Sequence, residues 1–193
     1  MKKIFSLLAV AAMFAGITTS CSDNLAQKID GTWETELSDT DFATFTFNYD
    51  QNALNGNGTF TEEHACPPFD YQLDEDTSVN VSYSSTINGI YRVDGTDLYT
   101  TYDLSTFEVT IEGLDMGFGD WQNDPDYDES DKAEIREIID TISEYLAQAF
   151  KESLLEAYKA DNDEGAPYVD LKVKENSITF KTSDVGTTTL TRK

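Results

Sequence analysis

The sequence predicts a mainly β fold, an antiparallel up-and-down meander with one long α-helix inserted before the last strands. Two patterns carry this reading. Apolar and polar residues alternate in short runs between Asp30 and Glu112 and again after Pro167, separated by turn dipeptides such as Asn55-Gly56 and Asp94-Gly95. Between those regions, residues 131–159 contain neither glycine nor proline and repeat apolar side chains at three-and-four spacing.

On the first strand Trp33, Thr35 and Leu37 fall on one side and Glu34 and Glu36 on the other. The second is the clearest: Ala43, Phe45, Phe47 and Tyr49 point one way, Thr44, Thr46 and Asn48 the other. After the turn around Gly56-Asn57-Gly58, Thr59 to Glu63 returns as a weaker strand, and Pro67 to Ser78 reads as an acidic, irregular segment. Val79, Val81 and Tyr83 resume the alternation. Ile87 to Val93 turns at Asp94-Gly95 into Leu98 to Tyr102, and Phe107, Val109 and Ile111 form another one-sided strand. This gives about six or seven strands before the helix. Beyond it, runs centred on Leu171, Ile178 and Leu190 are expected to close the sheet.

The helix is expected over about 131–160, with Ile135, Ile138, Ile139, Ile142, Leu146, Phe150 and Leu154 on its apolar stripe. Ser130 or Asp131 can cap its start, and acids there suit the positive end of its dipole. At about 1.5 Å per residue it outruns a small barrel, so a kink or break is expected. Its polar face is acidic rather than basic, which favours a buttress on the sheet over a membrane helix.

Ahead of the fold, Lys2 and Lys3 precede an apolar run from Ile4 to Ile17, the layout of a secretory signal and too short to span a bilayer. Thr18-Thr19-Ser20-Cys21 resembles the lipobox of bacterial lipoproteins, relaxed as in those of Bacteroidota. The resemblance implies a signal peptide over residues 1–20, lipidation at Cys21, and anchoring to outer-membrane lipid through N-terminal acylation. Ser22-Asp23 resembles the start of a surface-export signal, which leaves both the periplasmic and the cell-surface side open. Residues 21–28 then read as a lipidated tether and 29–193 as one domain.

The formal net charge is −24, and it deepens by two when Lys2 and Lys3 leave with the signal. So acidic a chain repels nucleic acid and anionic membrane surfaces, and no nucleic-acid partner is expected. With Cys21 lipidated, no second cysteine remains for a disulfide to Cys66, so stability must come from packing. His64 and Cys66 could begin a metal site, but no second soft pair follows, and Cys66 reads as a buried or half-buried thiol beside Pro67-Pro68. No cofactor is expected.

Catalysis finds no footing either. His64 is the sole histidine, no Gly-x-Ser-x-Gly elbow occurs, and carboxylates such as Asp74, Glu75 and Asp76 form pairs by abundance alone. The chain does not read as an enzyme. Asp124, Asp126 and Asp128 at alternate positions resemble the start of a calcium loop, although Glu129 stands where the turn glycine belongs and Ile135 where the bidentate glutamate belongs. The competing reading is a solvated acidic loop leading into the helix.

Gly31-Thr32-Trp33 on the first strand, the run of short meander strands, and a last strand holding Leu190 and Arg192 together resemble the lipocalin-like, or calycin, family. The phrase from Asn88 to Leu98 is also similar to the central hairpin of lipocalin-like lipoproteins from Bacteroidota. The resemblance implies an up-and-down barrel in which Trp33 and Arg192 close one mouth through a guanidinium on an indole face. Phe45, Phe47, Tyr49, Tyr83, Phe107 and Phe180 then either line a cavity for a small apolar ligand or pack solid. The expected function is a lipid-anchored barrel that binds such a ligand. The alternative is a solid-core interaction protein that docks another envelope or host protein, of unknown identity, through its acidic loops or helix.

Overall fold

The computed structural model describes residues 22–38, 41–54, 56–75, 77–182 and 186–193. The export segment and Cys21 lie outside the described residues, as do Asn55 and Asp76. Among the described residues the chain is mainly β, with eight strands in one antiparallel sheet and one long helix. The elements are α1 (Ser22–Lys28), β1 (Gly31–Ser38), β2 (Asp41–Tyr49), β3 (Gly58–Gln72), β4 (Ser78–Asp94), β5 (Asp97–Asp115), α2 (Glu129–Glu164), β6 (Val169–Val173), β7 (Ser177–Thr182) and β8 (Gly186–Arg192).

The sheet runs β5-β4-β3-β2-β1-β8-β7-β6, so β1 and β8 pair side by side within it. Its two edge strands, β5 and β6, approach each other. Leu98 and Tyr168 exchange both backbone hydrogen bonds at 2.8 Å, and Leu171 N donates to Thr96 O at 2.8 Å. No ladder joins the two strands beyond this bridge. A side chain takes over higher up: Asn162 of α2 accepts from Tyr102 N at 3.1 Å and donates to Tyr102 O at 2.9 Å, as a neighbouring strand would.

Five strands precede α2, rather than six or seven. Val79–Tyr83 and Ile87–Val93 are one strand, β4, and Leu98–Tyr102 and Phe107–Glu112 are one strand, β5. Bulges between Ser82 and Tyr83 and between Thr86 and Asn88 absorb the breaks in register. The stretch after Pro67 is also regular, because β3 runs to Gln72 with both prolines inside a bulge between Cys66 and Phe69. The β2 pairing stops at Phe42↔Ala65, so the prolines lie where one side of β3 has no strand to bond.

Helix α2 is a single element with no break. At about 54 Å it matches β5, whose residues span about 60 Å, so the long strands rather than a small barrel set its length. Its N-cap is Asp128, whose carboxylate accepts from Ser130 N and Asp131 N, and Gly165 ends it in the left-handed region at φ 63°.

Residues 22–28 are not a solvated tether but helix α1, which packs Ala26 and Ile29, both fully buried, against the sheet. Leu25, Ala26 and Ile29 recur at helical spacing and give that short segment an apolar face. The proximal end holds α1, the β2–β3 and β4–β5 connections and the turn between β6 and β7; the distal end holds the β3–β4 turn and the loop from β5 into α2.

The apolar interior forms two clusters. The larger surrounds Trp33, Phe47, Phe60, Tyr91, Phe107 and Leu190. The smaller joins Val79, Val81 and Leu146 with Phe69, Tyr71 and Phe150, where the N-terminal half of α2 covers the distal extensions of β3, β4 and β5.

Candidate functional site

Trp33 and Arg192 meet at the proximal end because β1 and β8 pair in the register Trp33↔Arg192. The Arg192 guanidinium carbon lies 4.3 Å from the Trp33 ring centroid, within cation–π range. Trp33 is fully buried and its Nε1 donates to Ile29 O at 2.7 Å, which ties α1 to the first strand. Arg192 also donates to Glu175 O at 3.1 Å and to Asp30 O at 3.4 Å. Gly31 sits beneath it at φ 115°, where a Cβ would stand 3.0 Å from Arg192 Nη1; the close approach and the positive φ both call for glycine. An open groove of about 580 Å³ lies alongside, lined by Lys28, Asp30, Lys174, Glu175 and Arg192 among others.

Four of the six aromatics expected to face inward, Phe45, Phe47, Phe107 and Phe180, share the larger core. Tyr49 packs at its rim, and its backbone N donates to Asp30 Oδ1. Tyr83 is elsewhere, its ring 6.2 Å from Phe69 and 5.1 Å from Phe150 at the distal cluster. The proximal aromatics fill space against one another. Phe47 packs at 5.2 Å from Tyr91 and 6.0 Å from Phe60, while Phe60 packs at 4.9 Å from Tyr102. Gly89 permits this, since a Cβ there would collide with the Phe60 ring at 2.4 Å. From the other side α2 inserts Tyr158, 5.0 Å from Tyr102 and 5.1 Å from Phe107.

A polar cluster lies inside this aromatic core. Glu62 on β3 is 4% exposed and stands opposite Phe45 in the β2–β3 register. Its carboxylate accepts from Tyr102 Oη at 2.6 Å and from Tyr158 Oη at 3.4 Å, and His64 Nε2 lies 3.5 Å away. Burial pushes the Glu62 carboxyl up to about 7; the two tyrosine hydrogen bonds pull it back in part, and the nearby Asp161 charge raises it further. Asp161 on α2 is likewise raised to about 7, first by burial and then by Glu164. Burial and the Glu62 charge hold the Tyr102 and Tyr158 hydroxyls well above the usual tyrosine range, so both remain donors. Among the described residues, Thr100 Oγ1 and Asp161 Oδ2 are buried without a hydrogen-bond partner.

This cluster was not anticipated from the sequence, although the signal was present. Phe60, Glu62 and His64 alternate on one face, and an acid two residues from a core phenylalanine on a strand points inward.

At the distal end Asp124, Asp126 and Asp128 do not converge. Asp124 Oδ1 accepts from Asp126 N at 2.9 Å, and Asp128 caps α2. The bonds from Ser130 N and Asp131 N to its carboxylate lower the Asp128 pKa, so the capping charge persists into acid. Among the described residues no group of three or more His, Cys, Asp or Glu is placed to hold a metal ion. Trp121 packs in the loop under Arg136, 5.5 Å from the guanidinium. Helix α2 leaves Tyr145 60% exposed and Ile138 38% exposed, two turns apart, with Glu134, Thr141 and Gln148 beside them.

No protein-family model matches the chain, and no curated protein matches its sequence.

Proposed function

We propose that the chain is a lipid-anchored envelope lipoprotein whose lipocalin-like barrel is a solid scaffold. Its acidic distal loop and the outer face of α2 dock a protein that carries a basic patch. The barrel reading is supported by the Leu98–Tyr168 bridge between the edge strands and by Arg192 over Trp33. The single observation that carries the docking role is the mutual packing of Phe60, Tyr102, Tyr158 and Phe107, whose successive rings lie about 5 Å apart where an apolar ligand would otherwise sit. Tyr145 and Ile138, exposed two turns apart on a helix rich in acids, give the surface an apolar anchor within an electrostatic frame.

The test is a photo-reactive benzophenone amino acid at position 145 in living cells. The expected result is one reproducible protein adduct, lost when Ile138→Ser is combined with added salt. No protein adduct at 145, together with a small molecule that copurifies with the protein and is displaced when Tyr158→Trp crowds the interior, would favour the ligand-binding alternative instead.

A further inference from the structure

We propose that the proximal end of the domain, with Leu54 at its tip, rests on the surface of the lipid bilayer. The inference depends on the anchoring read at Cys21, and three observations at the same end support it.

The first is where the chain enters the domain. Helix α1 lies across the proximal end, with Ala26 O accepting from Tyr91 Oη at 3.2 Å, so a lipid carried on the preceding residues starts from this side. The second is Leu54. It is 98% exposed in the β2–β3 connection, on a loop pinned to its neighbours. Asp50 N donates to Asn57 O at 2.9 Å, Asn57 N donates to Tyr91 O at 2.7 Å, and Asn57 Oδ1 accepts from Val93 N at 2.6 Å. A leucine held outward on a braced loop gains nothing from water and is suited to the boundary between headgroups and acyl chains.

The third is charge. Lys28, Arg92, Lys174, Arg192 and Lys193 gather at or beside this end and offset part of the charge of Asp30, Glu34, Asp50, Asp94, Asp97, Asp163, Glu164 and Glu175. The distal end is more acidic: among the described residues Asp74, Glu75, Asp115, Asp120, Asp124, Asp126, Asp128 and Glu129 gather there with Lys132 and Arg136. The net negative charge, which would repel an anionic headgroup layer, is therefore concentrated away from the proximal end. The acyl chains supply the affinity, and Leu54 with the charge gradient sets the orientation.

The experiment uses the full chain in its own membranes, with a benzophenone amino acid at position 54 or, in parallel, at position 145. Leu54 is exposed, so the replacement leaves the fold alone. The expected result is a lipid adduct at least about tenfold more abundant at 54 than at 145, because an interfacial side chain samples acyl chains and a solvent-facing one does not. The N-terminal peptide of the same preparation is weighed for acyl mass. If it carries acyl mass and position 54 gives no lipid adduct, a protein adduct in its place, or no more lipid than position 145, the orientation is overturned while the anchoring stands. If it carries none, the anchoring reading falls and the inference with it.

Discussion

Glu62 is the residue on which the pH behaviour of this protein turns. It and Asp161 hold their protons more tightly folded than unfolded, so the stability they contribute is fully present below about 4.5 for Glu62 and about 3.8 for Asp161, and is lost as pH rises through about 7. For Glu62 alone the loss amounts to up to about 3 kcal/mol. Urea denaturation at pH 5 and pH 8 should show it, and Glu62→Gln should flatten much of the difference; equal stabilities for the parent at both pH values would contradict the assignment. Tyr102→Phe removes the shorter hydrogen bond to the Glu62 carboxylate and should cost about 1–3 kcal/mol at pH 8, and less at pH 5 where the carboxyl is neutral. None of this was legible at first reading, because Thr59 to Glu63 offers a weak apolar pattern in which an inward acid looks like an outward one. Trp33 and Arg192 were legible, since a glycine two places before a strand tryptophan and a cation on the last strand leave a distinctive trace in sequence.

At the scale of elements, α2 substitutes for missing strand pairing. Asn162 bonds both backbone groups of Tyr102, and Asn162→Leu should destabilise the fold by about 2 kcal/mol through loss of the two hydrogen bonds. Hydrogen exchange at the Tyr102 amide should accelerate in that variant, with little change at amides in the middle of the β1–β2 ladder. Arg192→Ala removes the guanidinium from the Trp33 ring along with its hydrogen bonds to Glu175 O and Asp30 O, and should cost about 1–2 kcal/mol, read from thermal melts. The existence and type of these elements followed from periodicity: the alternation of Phe45 and Phe47 named a strand, and the spacing of Ile135, Leu146 and Phe150 named the helix. Their extents did not follow. Pro67-Pro68 reads locally as a break, and only the absence of a β2 partner at that point lets the strand continue through it. The short α1 was hidden for the opposite reason, since its apolar residues are too few for a period and gain their burial from Tyr91 and Trp33, distant in sequence.

For the whole molecule, the excess of acids implies self-repulsion that salt relieves. Raising sodium chloride from about 20 to about 300 mM should raise Tm, because the Debye length falls below the spacing of the distal carboxylates. A Tm that falls with salt would mean that specific ion pairs such as Lys193–Glu34 outweigh that repulsion. Net charge was legible from composition, but its polarity from one end of the fold to the other was not, because it depends on which turns share an end. The strand order has one more consequence. β1 lies between β2 and β8, and β8 is made last, so the sheet cannot take its final order until the segment carrying Leu190 and Arg192 has been synthesised. A chain that still lacks this segment has the β1–β2 ladder but not the β8 pairing on the other side of its first strand.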